Sequence, residues 1–285
     1  MQWLDGLIQG ILLGGLYAQY ALGMALMFGV MRIVNLTHGD LMVLLALIGI
    51  SLASTLGAGL WVVLVLLVPL AAAIGWILQR AVLNRVVSED PLPSLIATFG
   101  LSIALQNAML QIWSADTRSL PGGGIEQASW QIGPLFIGVL PVIVLVVAFC
   151  LTAGLSQLMA HTKFGRALRA SAADVEAAAM SGVNPKTVYA LATALAVGFL
   201  GFAAVFQGLR STVAPADGPA QLIYAFEAVI IGGMGSVWGA FLGAMVLGIS
   251  QSIGFRIDPG FGILAGHIVF LLVLAVRPQG IFGKG

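Results

Sequence analysis

Long apolar runs, separated by short polar breaks, occupy most of this chain. The runs do not alternate apolar and polar at every second position, so they predict helices rather than strands. The predicted segments are 7–29, 39–56, 60–78, 93–113, 134–156, 188–209, 221–233, 238–254 and 261–276. Most approach the roughly 20 residues that an α-helix needs to cross a bilayer core. Stretch 221–254 has the length of one long helix, but Gly232-Gly233-Met234-Gly235-Ser236 interrupts it. Each Gly in a helix interior costs about 1 kcal/mol relative to Ala. Two short segments joined by a tight turn are therefore predicted there. The first, 221–233, is too short to span comfortably, and a broken or re-entrant segment is tolerated only where protein or water surrounds it. The fold class expected is an all-α polytopic membrane protein with eight to nine transmembrane segments, one Gly-broken short or re-entrant near 221–238. A single domain over 1–285 is expected, since no soluble unit or linker interrupts the pattern.

Composition agrees. The 285 residues are 60 % hydrophobic and 8 % charged, with mean hydropathy +1.05. A soluble domain cannot hide that much apolar surface. Net charge is +1, which gives no reason to expect nucleic acid. The single cysteine, Cys150, excludes an internal disulfide and is expected to be a small packing residue. The start, MQWLDGLIQG, lacks a basic region and a small-residue cleavage site, so the first run is expected to be a retained span.

Charge sets the orientation. The loops on one side of the predicted spans hold Arg32, Arg80, Arg85, Lys163, Arg166, Arg169, Lys186, Arg277 and Lys284; those on the other hold Arg118, Arg210 and Arg256. Positive loops stay inside, so the richer side is expected to be cytoplasmic, with the N-terminus outside and the C-terminus inside. The outer loop 114–133, with Pro121-Gly122-Gly123-Gly124, is expected to be flexible or tightly turned and long enough to touch an outside partner.

Four of the twelve Lys/Arg fall in the cytoplasmic loop 157–187. Its stretch 166–181 is rich in Ala, Arg, Leu, Glu and Met, which predicts one short helix. Gly182 suits the left-handed position that ends it. Asn184 then caps the next helix, with Pro185 at its first position. Arg166 and Arg169 lie near the positive end of the short helix, where basic residues are unfavourable. The small residues Ala170, Ala173, Ala177 and Ala178 would let another surface approach closely. Such a loop suits docking better than chemistry. A solvated loop resting on lipid headgroups explains the same residues.

Polar residues inside spans are costly and usually face a cavity or a partner. Glu227 is the clearest case, either facing a polar cavity or bracing the glycine break through backbone, Arg210 or Tyr224. Asn35 and His38 are placed at the first cytoplasmic turn, where Asn35 or Thr37 caps the helix starting near Gly39 and His38 is a candidate gate. His267 lies alone on an apolar span and reads as a packing residue. Gly235, Gly239 and Gly243, like Gly10 and Gly14, recur at four-residue spacing; close packing within the chain is the expected use, and an interface with a second such chain the runner-up.

Three stretches resemble the branched-chain amino acid permease family of ABC importers. The first is Gly14-Gly15-Leu16-Tyr17-Ala18 with Val34-Asn35-Leu36-Thr37-His38-Gly39-Asp40. The second runs from Gly165-Arg166-Ala167-Leu168-Arg169-Ala170 through Asp174 and Ala177 to Gly182-Val183-Asn184. The third is Ala228 to Ala240 around the glycine break, ending with Arg277-Pro278-Gln279-Gly280-Ile281-Phe282-Gly283. The chain departs from the family pattern at Leu36-Thr37, at Asp40 where Glu is usual, and at Ser250-Gln251, where an acid is often found. Related permeases carry urea, short amides or aromatic acids.

The resemblance implies a permease subunit in a bacterial inner membrane, not an enzyme. Its implied partners are a second related permease, two cytoplasmic ATPases, an external solute-binding protein and membrane lipid. It implies that Gly165, Arg166, Arg169, Ala170, Asp174, Ala177 and Gly182 couple to the ATPases. It places Asn35, His38, Glu227, Gly232, Gly233, Gly235 and Ser236 along the translocation path. No G-x-x-x-x-G-K-[ST] loop occurs in the sequence, so ATP and Mg would be held by the partners, and no cofactor is expected in this chain. The alternatives are an ion-coupled transporter or channel, for which Glu227 and His267 are the ionisable candidates, and an intramembrane enzyme. The enzyme reading lacks a nucleophile with a positioned base.

Overall fold

A computed structural model of the protein describes residues 2–57, 59–87, 90–133 and 135–283. The expectations resting on Pro134 and Lys284 lie outside the described residues. The elements are α1 (Gln2–Met31), α2 (His38–Leu56), α3 (Leu60–Leu78), α4 (Asn84–Val86), α5 (Leu92–Trp113), α6 (Val139–His161), α7 (Lys163–Ala173), α8 (Val175–Met180), α9 (Pro185–Arg210), α10 (Gly218–Gly232), α11 (Val237–Ile257) and α12 (Phe261–Val276). A π-turn over Gln79–Leu83 joins α3 to α4 in one rod. Among the described residues, seven helices are long and apolar enough to cross a membrane, counting that rod once. Helices α10 and α12, with 15 and 16 residues, are shorter. The expected eight to nine segments run slightly above the seven.

The glycine break lies where expected, between α10 and α11. Gly233 and Gly235 take left-handed φ of 104° and 83° there, and Ser236 caps α11 by accepting the Gly239 amide at 3.0 Å. Only the first segment is short: α11 has 21 residues. It runs antiparallel to α1 at backbone contact. A Cβ on Gly10 would lie 2.5 Å from Ile249 Cα, one on Gly14 2.8 Å from Met245 Cα, and one on Gly248 would run into the Gly10 carbonyl. The four-residue glycine spacing therefore serves packing within the chain.

Two helices begin inside the bundle. The chain doubles back after α1 through 32–37 and after α9 through 211–217, so α2 and α10 start in the interior and leave in opposite directions. Their starts touch, because a Cβ on Gly39 would run into the Gly218 carbonyl. His38 Nε2–H donates to the Tyr20 carbonyl at 2.9 Å, about 16 Å up α1 from its end. Asp40 accepts from Ser102 and Gln106, midway along α5. This corrects the expectation that Asn35 and His38 sit at the cytoplasmic turn. Arg32, with φ 53°, turns the chain out of α1 and back into the bundle.

One end of the bundle gathers the Asp5–Arg256 ion pair and the bridge between Arg118 and Val213. It also holds a feature absent from the sequence reading. Strands β1 (Ser129–Ile132) and β2 (Leu135–Gly138) form an antiparallel hairpin between α5 and α6, pairing Trp130 with Ile137 and Gln131 with Phe136. The opposite end carries α4, α7, α8 and the start of α9. Helices α3, α5 and α12 present large exposed apolar side chains such as Trp61, Ile96 and Leu271. Cys150 is exposed on α6 rather than packed inside, which corrects its expected role.

Candidate coupling surface and intramembrane polar sites

The charged loop forms two short helices, not one. Asp174 is extended, with φ −154° and ψ 114°, and its carboxylate accepts the Ala177 amide at 2.9 Å. A short acidic side chain that can bond the backbone locally ends one helix and caps the next. The expected single helix over 166–181 is therefore broken at Asp174. The stop behaves as expected. Gly182 has φ 84°, its amide bonds the Ala179 carbonyl, and the Val183 amide bonds that of Ala178, both at 3.0 Å. That is the paired closure of a Schellman motif. Asn184 accepts the Thr187 amide at 3.3 Å and Pro185 opens α9.

Three contacts anchor α7 to the membrane helices. Thr162 caps it through the Gly165 amide at 3.0 Å. Gly165 lies against the last turn of α6, where any Cβ would run into the Met159 carbonyl. The Arg169 guanidinium donates to that same carbonyl, placing positive charge on the negative end of α6 and satisfying a group that helix termini leave free. Leu168, Ser171 and Ala178 face inward and are buried. Arg166, Ala170, Asp174 and Ala177 are exposed; Ala173 and Glu176 are exposed as well but border the cleft between these helices and the bundle. Beside them Met180 is 85 % exposed. Exposed small and apolar residues among charges suit a partner surface.

The glycine break is sealed by the chain's own tail. Ile281 N–H donates to the Ile231 carbonyl at 2.8 Å, and Phe282 N–H to that of Gly232 at 3.2 Å. Gly233 and Gly280 approach so closely that a Cβ on either would meet the other strand's backbone. Gly235 lies against Gly29 at the end of α1. The two parts of the third resembling stretch, far apart in sequence, thus meet. Gly232, Gly233, Gly235 and Ser236 form a packed turn at the end of the bundle.

Glu227 is buried on α10, and its Oε1 accepts from His267 Nδ1–H on α12. His267 is therefore not the isolated packing residue expected, and Glu227 is braced by an imidazole rather than by Arg210 or Tyr224. Nearby, Tyr17 stacks on Tyr224 with ring centroids 4.9 Å apart, and its hydroxyl donates to Gln251 at 2.6 Å. Tyr20 donates to Gln207 at 2.6 Å. Asn35 accepts from the backbone and hydroxyl of Thr37, closing a turn ahead of α2. Thr37 holds the N-cap position without a side-chain cap bond. The structure separates the residues expected on one path: Asn35 and His38 at the interior start of α2, Glu227 on the α12 side of α10, and the glycines at the end.

A family model for the branched-chain amino acid transport system permease component matches residues 6–276. The chain belongs to this family. It is similar to the high-affinity branched-chain amino acid transport system permease protein BraD of Pseudomonas aeruginosa, 28 % identical over 99 % of this chain and 96 % of that protein. It is also similar to LivH of Escherichia coli, a permease protein of the same description, 26 % identical over 100 % of this chain and 96 % of LivH. Among solved structures, PsaBC from Streptococcus pneumoniae in complex with Fab aligns over 97 % of this chain and 92 % of that one, at 17 % identity and TM-score 0.48; the assignment does not rest on it.

The permease's polar interior was only partly visible in its sequence. Tyr20 and Gln207 carry no signal in the sequence, and Tyr17 and Gln251 enter only through the family resemblance, because a Tyr or Gln in an apolar run carries no spacing signal. Their pairing is tertiary: Tyr17 and Gln251 lie 234 residues apart.

Proposed function

We propose that this multi-pass permease is the membrane subunit of an ATP-driven importer for branched-chain amino acids or related small polar solutes. The full-length family match over 6–276 carries the reading. The proposed assembly contains a second related permease, two cytoplasmic ATPases that hold ATP and Mg, and an external solute-binding protein, in a bacterial inner membrane. The basic end faces the cytoplasm, with the N-terminus outside and the C-terminus inside. No catalysis is assigned to this chain.

In this reading α7 and α8 are the handle. The ATPases dock on the face of Arg166, Ala170, Asp174 and Ala177. Their closure on ATP pushes α7, which drives α6 through Gly165 and Arg169 and α9 through the Gly182–Asn184 turn. The bundle then alternates its access. The test is uptake of radiolabelled leucine into proteoliposomes holding the purified assembly. Uptake that needs both ATP and the binding protein is expected.

The Glu227–His267 pair favours a second reading, a proton-coupled carrier, since ionisable pairs inside spans mark proton relays in such proteins. Uptake that survives ATP depletion and collapses with the proton gradient would select it.

A further inference from the structure

Behind α7 and α8, on the side facing the bundle, lies a cavity of about 740 Å³. It is bounded by the end of α1, the stretch around α4, the inner faces of α7 and α8, and the start of α9. Its volume lies within the roughly 300–1,000 Å³ usual for small-molecule sites. Most of its lining is apolar, with Val30, Val175 and Tyr189 among the wall residues.

Its polar lining has a definite pattern. Arg32 and Lys186 bring two cations, and Glu176 one carboxylate. Asn84 and Asn184 are already engaged, with the Lys186 carbonyl and the Thr187 amide. Ser171 also borders the cavity, but it is 1 % exposed and its Oγ is closed off from the open space. Arg32 is held in left-handed backbone with φ 53°; such strain at a non-glycine residue gathers at ligand clamps. Lys186 stands in the first turn of α9, whose positive end adds to the attraction for an anion.

We infer that this cavity is a binding site for a small zwitterion with an apolar side chain, the chemistry of a free branched-chain amino acid. Its carboxylate meets Arg32 and Lys186, its ammonium meets Glu176, and the side chain lies on the valines. Water fills the remaining space and bridges the remaining polar groups. With the orientation proposed above, the site opens to the cytosol. The inference rests on that reading for its physiological sense: solute accumulated inside wedges between the handle and the bundle and slows transport. An occupant that binds one arrangement of α7 and α8 better than another must shift them toward it.

The zwitterionic headgroup of phosphatidylethanolamine shares this chemistry, so the test separates the two. The full chain is placed in nanodiscs of phosphatidylglycerol, which has no ammonium, and L-[3H]leucine binding is measured by scintillation proximity. Saturable binding is expected, weakened roughly tenfold or more in Arg32→Gln and in Glu176→Gln. Glu176 is exposed, so its substitution leaves the fold intact. Isoleucine should compete, whereas isocaproate and isoamylamine, each lacking one charge, should not. No saturable binding, or binding unchanged in both variants, overturns the inference, as does leucine displaced by added phosphatidylethanolamine. Leucine uptake by the assembly without leucine binding to the chain overturns the site alone. Binding without such uptake leaves the site and removes the proposed solute.

Discussion

The seam between α1 and α11 and the pair α7–α8 are held by opposite means. Along the seam, Gly10, Gly14 and Gly248 let two long helices touch backbone to backbone, and the side chains around them are buried. Helices α7 and α8 are joined to the bundle by one cap, one glycine contact, one arginine, one turn and the apolar packing of Leu168 and Phe164, and the face that carries Arg166, Ala170 and Ala177 is exposed. A close-packed seam has few arrangements and moves as one body. A pair that gives the core only a few side chains, Leu168 chief among them, leaves an exposed face to be gripped. The difference separates what is moved from what is held.

Breaking the seam should have the largest effect. Gly248→Leu forces a side chain into the Gly10 carbonyl, and overpacking of this kind is expected to cost about 3 kcal/mol or more. Loss of monodisperse protein in fluorescence-detected gel filtration would show it; a wild-type thermal profile would mean that the seam yields. Gly165→Val comes next, because its side chain collides with the end of α6 at the tether rather than in the core. ATP-driven uptake should fall to near background while thermal unfolding of the bundle stays close to wild type. Retained uptake would show that the tether is not needed. Arg169→Gln should be mildest. It loses one charge-assisted bond to Met159 at an exposed position, about 1 kcal/mol. Hydrogen exchange over 163–173 should quicken roughly fivefold with the seam unchanged; equal change in both regions would erase the distinction between them.

The sequence and the structure part company for identifiable reasons. Long apolar runs determine helices by composition alone, so α1, α3, α5, α9 and α11 were legible. The Gly182–Asn184–Pro185 stop was legible too, since each residue has a local backbone reason to be there. Asp174 was not: among strong helix formers its cap competes with helix continuation, and local propensity favours continuation. The interior starts of α2 and α10 depend on Arg32 turning the chain and on Gly39 meeting Gly218, a contact between distant segments. Glu227 and His267 are 40 residues apart, so each looked alone. The cavity behind α7 and α8 draws its walls from five parts of the chain and left no local pattern.

Cysteine cross-linking tests the handle most directly. The chain has one cysteine, Cys150, so a Cys150→Ser background accepts single probes. Ala177→Cys lies on the outer face of α8, and Ser54→Cys lies exposed near the far end of α2 as the control. In membranes containing the active assembly, Ala177→Cys should form an adduct with an ATPase subunit, in a yield that changes with ATP, and Ser54→Cys should form none. ATP-driven uptake from a preparation in which Ala177→Cys gives no ATPase adduct would contradict the docking of the motor on α7 and α8.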